Sequence, residues 1–482
     1  MNFNKKNVLS GLFWMFSERM GAQIVTFIVS LVLARILMPD DYGIVSLALI
    51  FINFCDVIAT TGLSSSLVQD ENVCQKDFST AFYFNLIFSV ILYVIVYVCA
   101  PLIASFFKND QLTIILRVFA LRIPIGALNS VQRAFVSRNM LFKKFFFSTL
   151  FGTITAGVIG VFLALNGYGV WASVAQYLTN SIIDSIVLFI TVKWRPTLEF
   201  SIVSLKRMYS FGAKILVASL LHEIYMEFRT LIIGKKYTSE DLAYFKQGEQ
   251  FPKVIVQNIN SSITNVLFPA LSIIQTDKSS VKKMVQKSIQ TSTYIMFPLM
   301  IGLAIMGESA VEIILTEKWL PCVPFLWAFC ISYSLEPLQT ANLQAIKAMG
   351  RSDLVLKMEI IKKTFGILTV IITVPISVEA IAVGNIVSTI FANVVNAAPN
   401  KKLLNYGYLD QIKDISGALI LAGIMGIVVY LVGLVNINIY IKMLMQIISG
   451  IISYFILSKI FKIQIFYFLL DTVKSFVGGK SR

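Results

Sequence analysis

Residues 415–435 read ISGALILAGIMGIVVYLVGLV, a run with no charged side chain. It is long enough to cross the hydrocarbon core of a bilayer as one helix, which takes about 20 apolar residues. Working outward, runs of this kind recur from residue 12 to residue 461. They lie at 12–37, 42–68, 78–107, 112–136, 145–165, 170–192, 209–233, 242–274, 281–306, 324–349, 360–374, 376–399, 415–435 and 439–461, about 14 candidate transmembrane helices joined by short links. The chain of 482 residues is 57% hydrophobic and only 14% charged, with a mean hydropathy of +0.77. Ordinary soluble domains carry about 25% charged residues. This composition excludes a soluble enzyme, a nucleic-acid binder and a secreted disulfide scaffold. The expected fold class is an all-α polytopic membrane protein.

Lys and Arg number 41 against 26 for Asp and Glu, a net charge of +15. In a soluble chain such a surplus points to nucleic acid. In a membrane chain the cytoplasmic links collect Lys and Arg. The links bearing Arg138, Lys143 and Lys144, then Lys193, Arg195, Lys206 and Arg207, then Lys278, Lys282 and Lys283, fall on one side. Lys347, Arg351, Lys401, Lys402, Lys413 and the tail with Lys474, Lys480 and Arg482 continue it. The opposite links, 38–41, 166–169, 307–320 and 375–379, hold almost none, and the link 234–241 with Lys235 and Lys236 is the exception. The positive-inside rule therefore places both termini in the cytoplasm, and an even number of spans agrees. The basic start runs into an apolar segment without a small-residue cleavage site, so the first helix is expected to be retained. Five scattered Cys and a single His supply no zinc ligand set, so neither metal nor cofactor is expected.

Shifting the chain by 200 residues lays Pro39-Asp40-Asp41-Tyr42-Gly43 on Ser239-Glu240-Asp241-Leu242-Ala243. A slightly larger shift lays Gln132-Arg133-Ala134 and Arg138 alongside Gln344-Ala345-Ile346 and Arg351. These matches predict two pseudo-repeated six-helix lobes, residues 1–200 and 201–400, followed at 401–482 by two additional transmembrane helices and a cytoplasmic tail. Two parallel-related lobes with a site between them are a transporter architecture. No link is long enough to hold a separate catalytic domain.

A charged side chain at mid-bilayer costs roughly 2.5–3.5 kcal/mol on insertion scales, so such residues mark function by default. At 242–274, Lys246, Glu249, Lys253, Gln257, Asn260 and Thr264 follow spacings of one helix face. Gln247, Gln250 and Asn258 widen that face, and Pro252 is expected to kink the helix. The span at 209–233 carries Lys214, His222, Glu223, Glu227 and Arg229. The first span has Glu18, Arg19 and Gln23, the second Asn53, Asp56 and Thr60, and the fourth Arg122, Asn129 and Arg133. The third, fifth, sixth and last two spans read as nearly charge-free. Cations outnumber acids in this set: Arg19, Arg35, Arg122, Arg133, Lys214, Arg229, Lys246 and Lys253 stand against Glu18, Asp56, Glu223, Glu227 and Glu249. Arg35 and Lys214 lie near helix ends, where they can snorkel. One reading is buried ion pairs that hold helices together. The other is a basic aqueous cavity that takes an anionic cargo, with Arg19, Arg122, Arg133, Arg229, Lys246 and Lys253 as its ligands.

Gly11-Leu12-Phe13-Trp14, the segment from Leu33-Ala34-Arg35 through Pro39-Asp40-Asp41-Tyr42-Gly43, and Gly62-Leu63-Ser64-Ser65-Ser66-Leu67-Val68-Gln69 resemble the Wzx-type oligosaccharide flippases. These belong to the multidrug/oligosaccharidyl-lipid/polysaccharide exporter superfamily. Gly169-Val170-Trp171-Ala172 and the stretch from Gln344 to Gly350-Arg351 fit as well. The likeness extends over nearly the whole chain, through short and mostly structural motifs. It implies two six-helix bundles around a central cavity. It also implies flipping of an undecaprenyl-diphosphate-linked oligosaccharide from the cytoplasmic to the outer leaflet of the bacterial inner membrane, for O-antigen, capsule or exopolysaccharide. No covalent bond changes in that process, so no enzyme is expected.

Partners on this reading are the lipid-linked oligosaccharide, the bilayer, H+ or Na+ as coupling ion, and the polysaccharide polymerase and glycosyltransferases of the same route, with no nucleic acid. Ion coupling would fall to a titrating group in the cavity, the candidates being Glu249, Glu223, Glu227, Asp56 and His222, with Glu249 favoured because Lys246 and Lys253 flank it. Two alternatives are a multidrug exporter of the same superfamily, whose cationic substrates call for an acid-rich cavity, and a lipid-linked glycan polymerase or ligase, which calls for a sizeable outward domain.

Overall fold

The long apolar runs fold as helices because only a helix satisfies every backbone N–H and C=O within its own segment in lipid. The computed structural model describes the backbone of residues 5–70, 73–139 and 141–477. Side chains are described from residue 21 to 471 within those stretches, except Thr61, Ser210, Phe211, Lys214, Ala218, His222 and Ser352. The first helices are α1 (Lys5–Ile36), α2 (Pro39–Gln69), α3 (Gln75–Phe107), α4 (Gln111–Phe119), α5 (Arg122–Arg138), α6 (Phe142–Leu165), α7 (Val170–Thr191) and α8 (Ile202–Lys236). Then come α9 (Ser239–Ile273), α10 (Lys278–Ile305), α11 (Gly307–Ile314), a 3₁₀ turn at Glu317–Cys322, α12 (Val323–Ser334) and α13 (Glu336–Ala348). The chain ends with α14 (Ser352–Thr373), α15 (Val378–Leu404), α16 (Tyr408–Gly433), α17 (Ile439–Ile460) and α18 (Gln464–Val477).

Each expected span falls on one helix or on a broken pair, 112–136 on α4 and α5 and 324–349 on α12 and α13. Among the described residues nine helical segments are long and apolar enough to cross a membrane by length and composition. The protein is a multi-pass, all-α membrane protein. Helices α8 and α9 fall outside those nine because their polar stripes dilute the apolar run.

Helix α9, for which a kink at Pro252 is expected, runs without interruption through Pro252 and Pro269. The interruptions lie in the two fourth spans instead. Pro124 sits in the first turn of α5 and Pro337 in the first turn of α13, where a missing N–H leaves no helical bond unmade. Within the expected tail, 464–477 form the further helix α18. Together with α10, α16 and α17 it lines an apolar cavity of about 700 Å³. The Lys287 ammonium lies 3.4 Å from the centroid of the Phe468 ring.

The chain forms two compact units, residues 1–243 and 244–482, the boundary falling in the first turns of α9. In the first unit α8 packs along α2 so tightly that a Cβ on Gly212 would lie 2.6 Å from the Gly62 carbonyl oxygen. At the other end of α2, a Cβ on Gly43 would lie 1.9 Å from the Ser239 carbonyl oxygen. Glycine is what lets the backbones meet there. Arg207, in the first turns of α8, bridges Asp77 at 2.7 Å and Asp70 at 3.3 Å. Lys235, one of the two basic residues on the exceptional link, donates to the Phe106 carbonyl at the end of α3 and lies over the Phe106 ring. Its charge thus sits on a helix C-terminus, where a cation is favoured.

In the second unit a buried amide cluster ties three helices. Asn342 of α13 donates to Gln411 of α16 at 2.8 Å and accepts from Gln411 at 2.9 Å and from Asn400 of α15 at 2.7 Å. Asp277 caps α10, and its bonds to the Ser280 hydroxyl and to the Ser280 and Ser279 amides hold its carboxyl below the usual range.

Candidate functional site

The first unit holds a polar cavity of about 380 Å³ between α2, α5, α6 and α7. Arg122, the first residue of α5, places Nε 3.6 Å from Asp56 Oδ2 and its guanidinium over the Tyr177 ring. Arg133, three turns further along α5, donates to Asp184 Oδ2 at 2.6 Å. Asn129 donates to the same oxygen at 2.9 Å, and the Ser148 hydroxyl reaches the other. Asp184 is 5% exposed, so this is a buried carboxylate satisfied from α5 and α6.

Three candidate ligands thus have carboxylate partners. Arg122 has Asp56 and Arg133 has Asp184. Lys253 is likewise 3.3 Å from Glu249. The sixth span is also not charge-free, since Asp184 lies at its centre. Asp184 and Glu336 were both missed in the sequence, and adding them to the set named above makes it eight cations against seven acids.

On α9 the structure keeps the expected stripe together. Gln257, Asn258, Ser261 and Thr264 are exposed along a helix whose opposite side buries Phe251, Val256, Ile263 and Leu267. Glu249 accepts from Lys253 and, at 2.5 Å, from the Tyr333 hydroxyl of α12. Lys246 lies within electrostatic reach of the same carboxylate. One turn or more along α9, Asn260 donates to Glu336 of α13 at 2.9 Å. The signal for Glu336 in the sequence is the pair Glu336-Pro337 inside an otherwise apolar span, a charge beside a helix break.

The remaining candidates lie on α8 and α1. Arg229 and Glu223 are half-buried and form no ion pair among the described residues, while Glu227 has partners of its own. The side chains of Arg19 and His222 lie outside the described residues.

The fold is similar to solved transporters. The structure titled lipid II flippase MurJ, in an inward closed conformation, superposes with a TM-score of 0.74 at 16% identity, over 93% of this chain and 98% of that one. An inward-facing multidrug resistance transporter of the MATE family gives 0.61 at 16% identity, over 84% of this chain and 98% of that one. Among sequences, the succinoglycan biosynthesis transport protein ExoT of Rhizobium meliloti is 23% identical over 72% of this chain and 70% of its own length. The lipopolysaccharide biosynthesis protein WzxC of Escherichia coli is 22% identical over 71% of this chain and 70% of its own. The likeness to Wzx-type flippases read from the short motifs is borne out by these relatives. Residues 32–324 match the family described as polysaccharide biosynthesis protein, and the chain belongs to that family.

Proposed function

We propose that this protein flips an undecaprenyl-diphosphate-linked oligosaccharide from the cytoplasmic to the outer leaflet of the bacterial inner membrane, for a surface polysaccharide. The observation that carries the reading is the exposed polar face of α9. Asn258 and Ser261 donate to carbonyls of their own helix and Thr264 accepts from Gln344. The remaining amide capacity of this row, that of Gln257 above all, calls for water or a polar guest, because lipid offers it no partner. Lys246 and Lys253 flank that face and would hold the diphosphate. Arg229 and Arg19, of the first unit, stay candidate ligands by residue type alone. The prenyl chain stays in lipid. Family membership and the transport-named relatives support this reading.

In this proposal the chain crosses the membrane fourteen times with both termini in the cytoplasm. The lobes 1–200 and 201–400 alternate access to the two leaflets, and 401–482 adds two helices and a tail. Glu249, Glu223, Glu227, Asp56 and His222 are the candidates for H+ or Na+ coupling. The polymerase and glycosyltransferases of the route are the expected partners. No bond is made or broken, so the protein acts as a transporter and not as an enzyme.

Complementation of a flippase-null strain tests this. Lys246→Ala, Lys253→Ala, Arg229→Ala and Arg19→Ala are expected to lose export at normal protein levels. Full export by all four variants overturns the assignment of the headgroup site.

A further inference from the structure

Glu336 opens α13 where the tenth span is interrupted, beside Pro337. Its Oε2 accepts a hydrogen bond from Asn260 Nδ2 at 2.9 Å. The other end of the same amide, Asn260 Oδ1, is buried and has no hydrogen-bond partner among the described residues. An ionised carboxylate offers that oxygen nothing, because it only accepts. Turning the amide over would set two acceptors face to face. The acid form supplies what is missing. Its O–H can donate to Asn260 Oδ1 while Asn260 Nδ2 donates back, closing a two-bond ring of acid and amide.

The surrounding charges separate the two carboxylates of this patch. Glu249 has the Lys253 ammonium at 3.3 Å and the Tyr333 hydroxyl at 2.5 Å, and Lys246 within reach. Among the described residues Glu336 has the Asn260 amide, with Glu249 and Lys253 as the charged groups in electrostatic reach. On α10 Tyr294 is bonded to Ser458, and α15 carries the buried Asn393 and Asn396. On α14 Lys362 is taken up by Glu359, beside Lys363 and its own contacts, and on α16 Asp414 is engaged by Tyr406 and Gln286.

We infer that Glu336 is a proton-binding residue of the transport cycle, and that the proton and the anionic headgroup bind together. This rests on the headgroup reading given above. Protonating Glu336 removes one of the two negative charges beside Lys253, and so raises by one unit the positive charge that suits a diphosphate. By linkage, whatever factor the proton adds to anion affinity the anion adds to proton affinity.

The test uses the full chain in lipid nanodiscs and a short prenyl-diphospho-sugar diester, whose phosphates have no second proton to lose in the range studied. Binding to the wild type is expected to weaken by up to about tenfold per pH unit above the transition, the slope of one linked proton. Glu336→Gln keeps a carbonyl, adds a donor for Asn260 Oδ1, and is expected to bind tightly at every pH. In weakly buffered solution, binding to the wild type takes up protons, approaching one per probe, and needs no variant to be read. A pH-dependent affinity that survives unchanged in Glu336→Gln overturns the inference and leaves the headgroup site standing. Probe binding without any proton uptake by the wild type does the same. No binding at any pH removes the headgroup site and this inference with it.

Discussion

Asp184 of α7 receives the Arg133 guanidinium of α5 at 2.6 Å while the Ser148 hydroxyl of α6 reaches its other oxygen, so one buried carboxylate joins three helices. Removing one partner of a fully buried pair costs about 3–5 kcal/mol. Here the half-exposed Arg133 and the remaining Asn129 and Ser148 donors to Asp184 set the cost below that, and replacing both partners with apolar groups is milder still. Arg133→Ala is expected to lower the melting temperature in nanodiscs, and the double change Arg133→Leu with Asp184→Leu to recover most of it. Export should track the amount of folded protein. An Arg133→Ala variant of wild-type stability that exports nothing would return Arg133 to the headgroup.

Gly43 stands against the Ser239 backbone with no room for a methyl group. Overpacking a closed contact costs about 1–3 kcal/mol. Gly43→Leu is expected to exceed Gly43→Ala in lost thermal stability, while Gly423→Ala, a change at a position with open space around it, should be silent.

Tyr333 donates to Glu249 at 2.5 Å. Hydrogen bonds to charged groups contribute about 1.5–3 kcal/mol. Tyr333→Phe is expected to slow export at least several-fold with little change in protein level, read by complementation. Lys253→Ala, which also takes the cation from Glu249, should be more severe than Tyr333→Phe.

Arg351, just before α14, and Asp353, in its first turn, form a two-bond pair at 2.9 Å, and the Arg351 guanidinium pulls the Asp353 carboxyl down to about 2. A depressed acid contributes its stability above its unfolded value, near 3.8, and loses it as pH falls toward about 2. Hydrogen exchange at the start of α14 should therefore accelerate through that window. Asp353→Asn should remove the acid step without altering export at neutral pH.

The helices were legible because a bilayer demands long apolar runs, and 415–435 or 439–461 can be nothing else. The α9 stripe was legible because Lys246, Glu249, Lys253, Gln257, Asn260 and Thr264 share one helical face by spacing alone. The pairing of charges was not. Asp184 lies 51 residues from Arg133 and Glu336 lies 76 from Asn260, so nothing in local periodicity joins them. Only the packing of α5 on α7 brings the first two together, and only the break before α13 sets Glu336 against α9. The surplus of positive charge expected inside the bilayer shrank for the same reason, because the missing acids stood alone on otherwise apolar helices.

Arg207 holds both Asp70, where α2 ends, and Asp77, where α3 begins. The start of α8 is therefore fastened to the elbow between two other helices, and a tilt of α8 cannot leave that elbow behind. A tilt of α8 would thus pull on both carboxylates at once, and on the two helix ends that carry them.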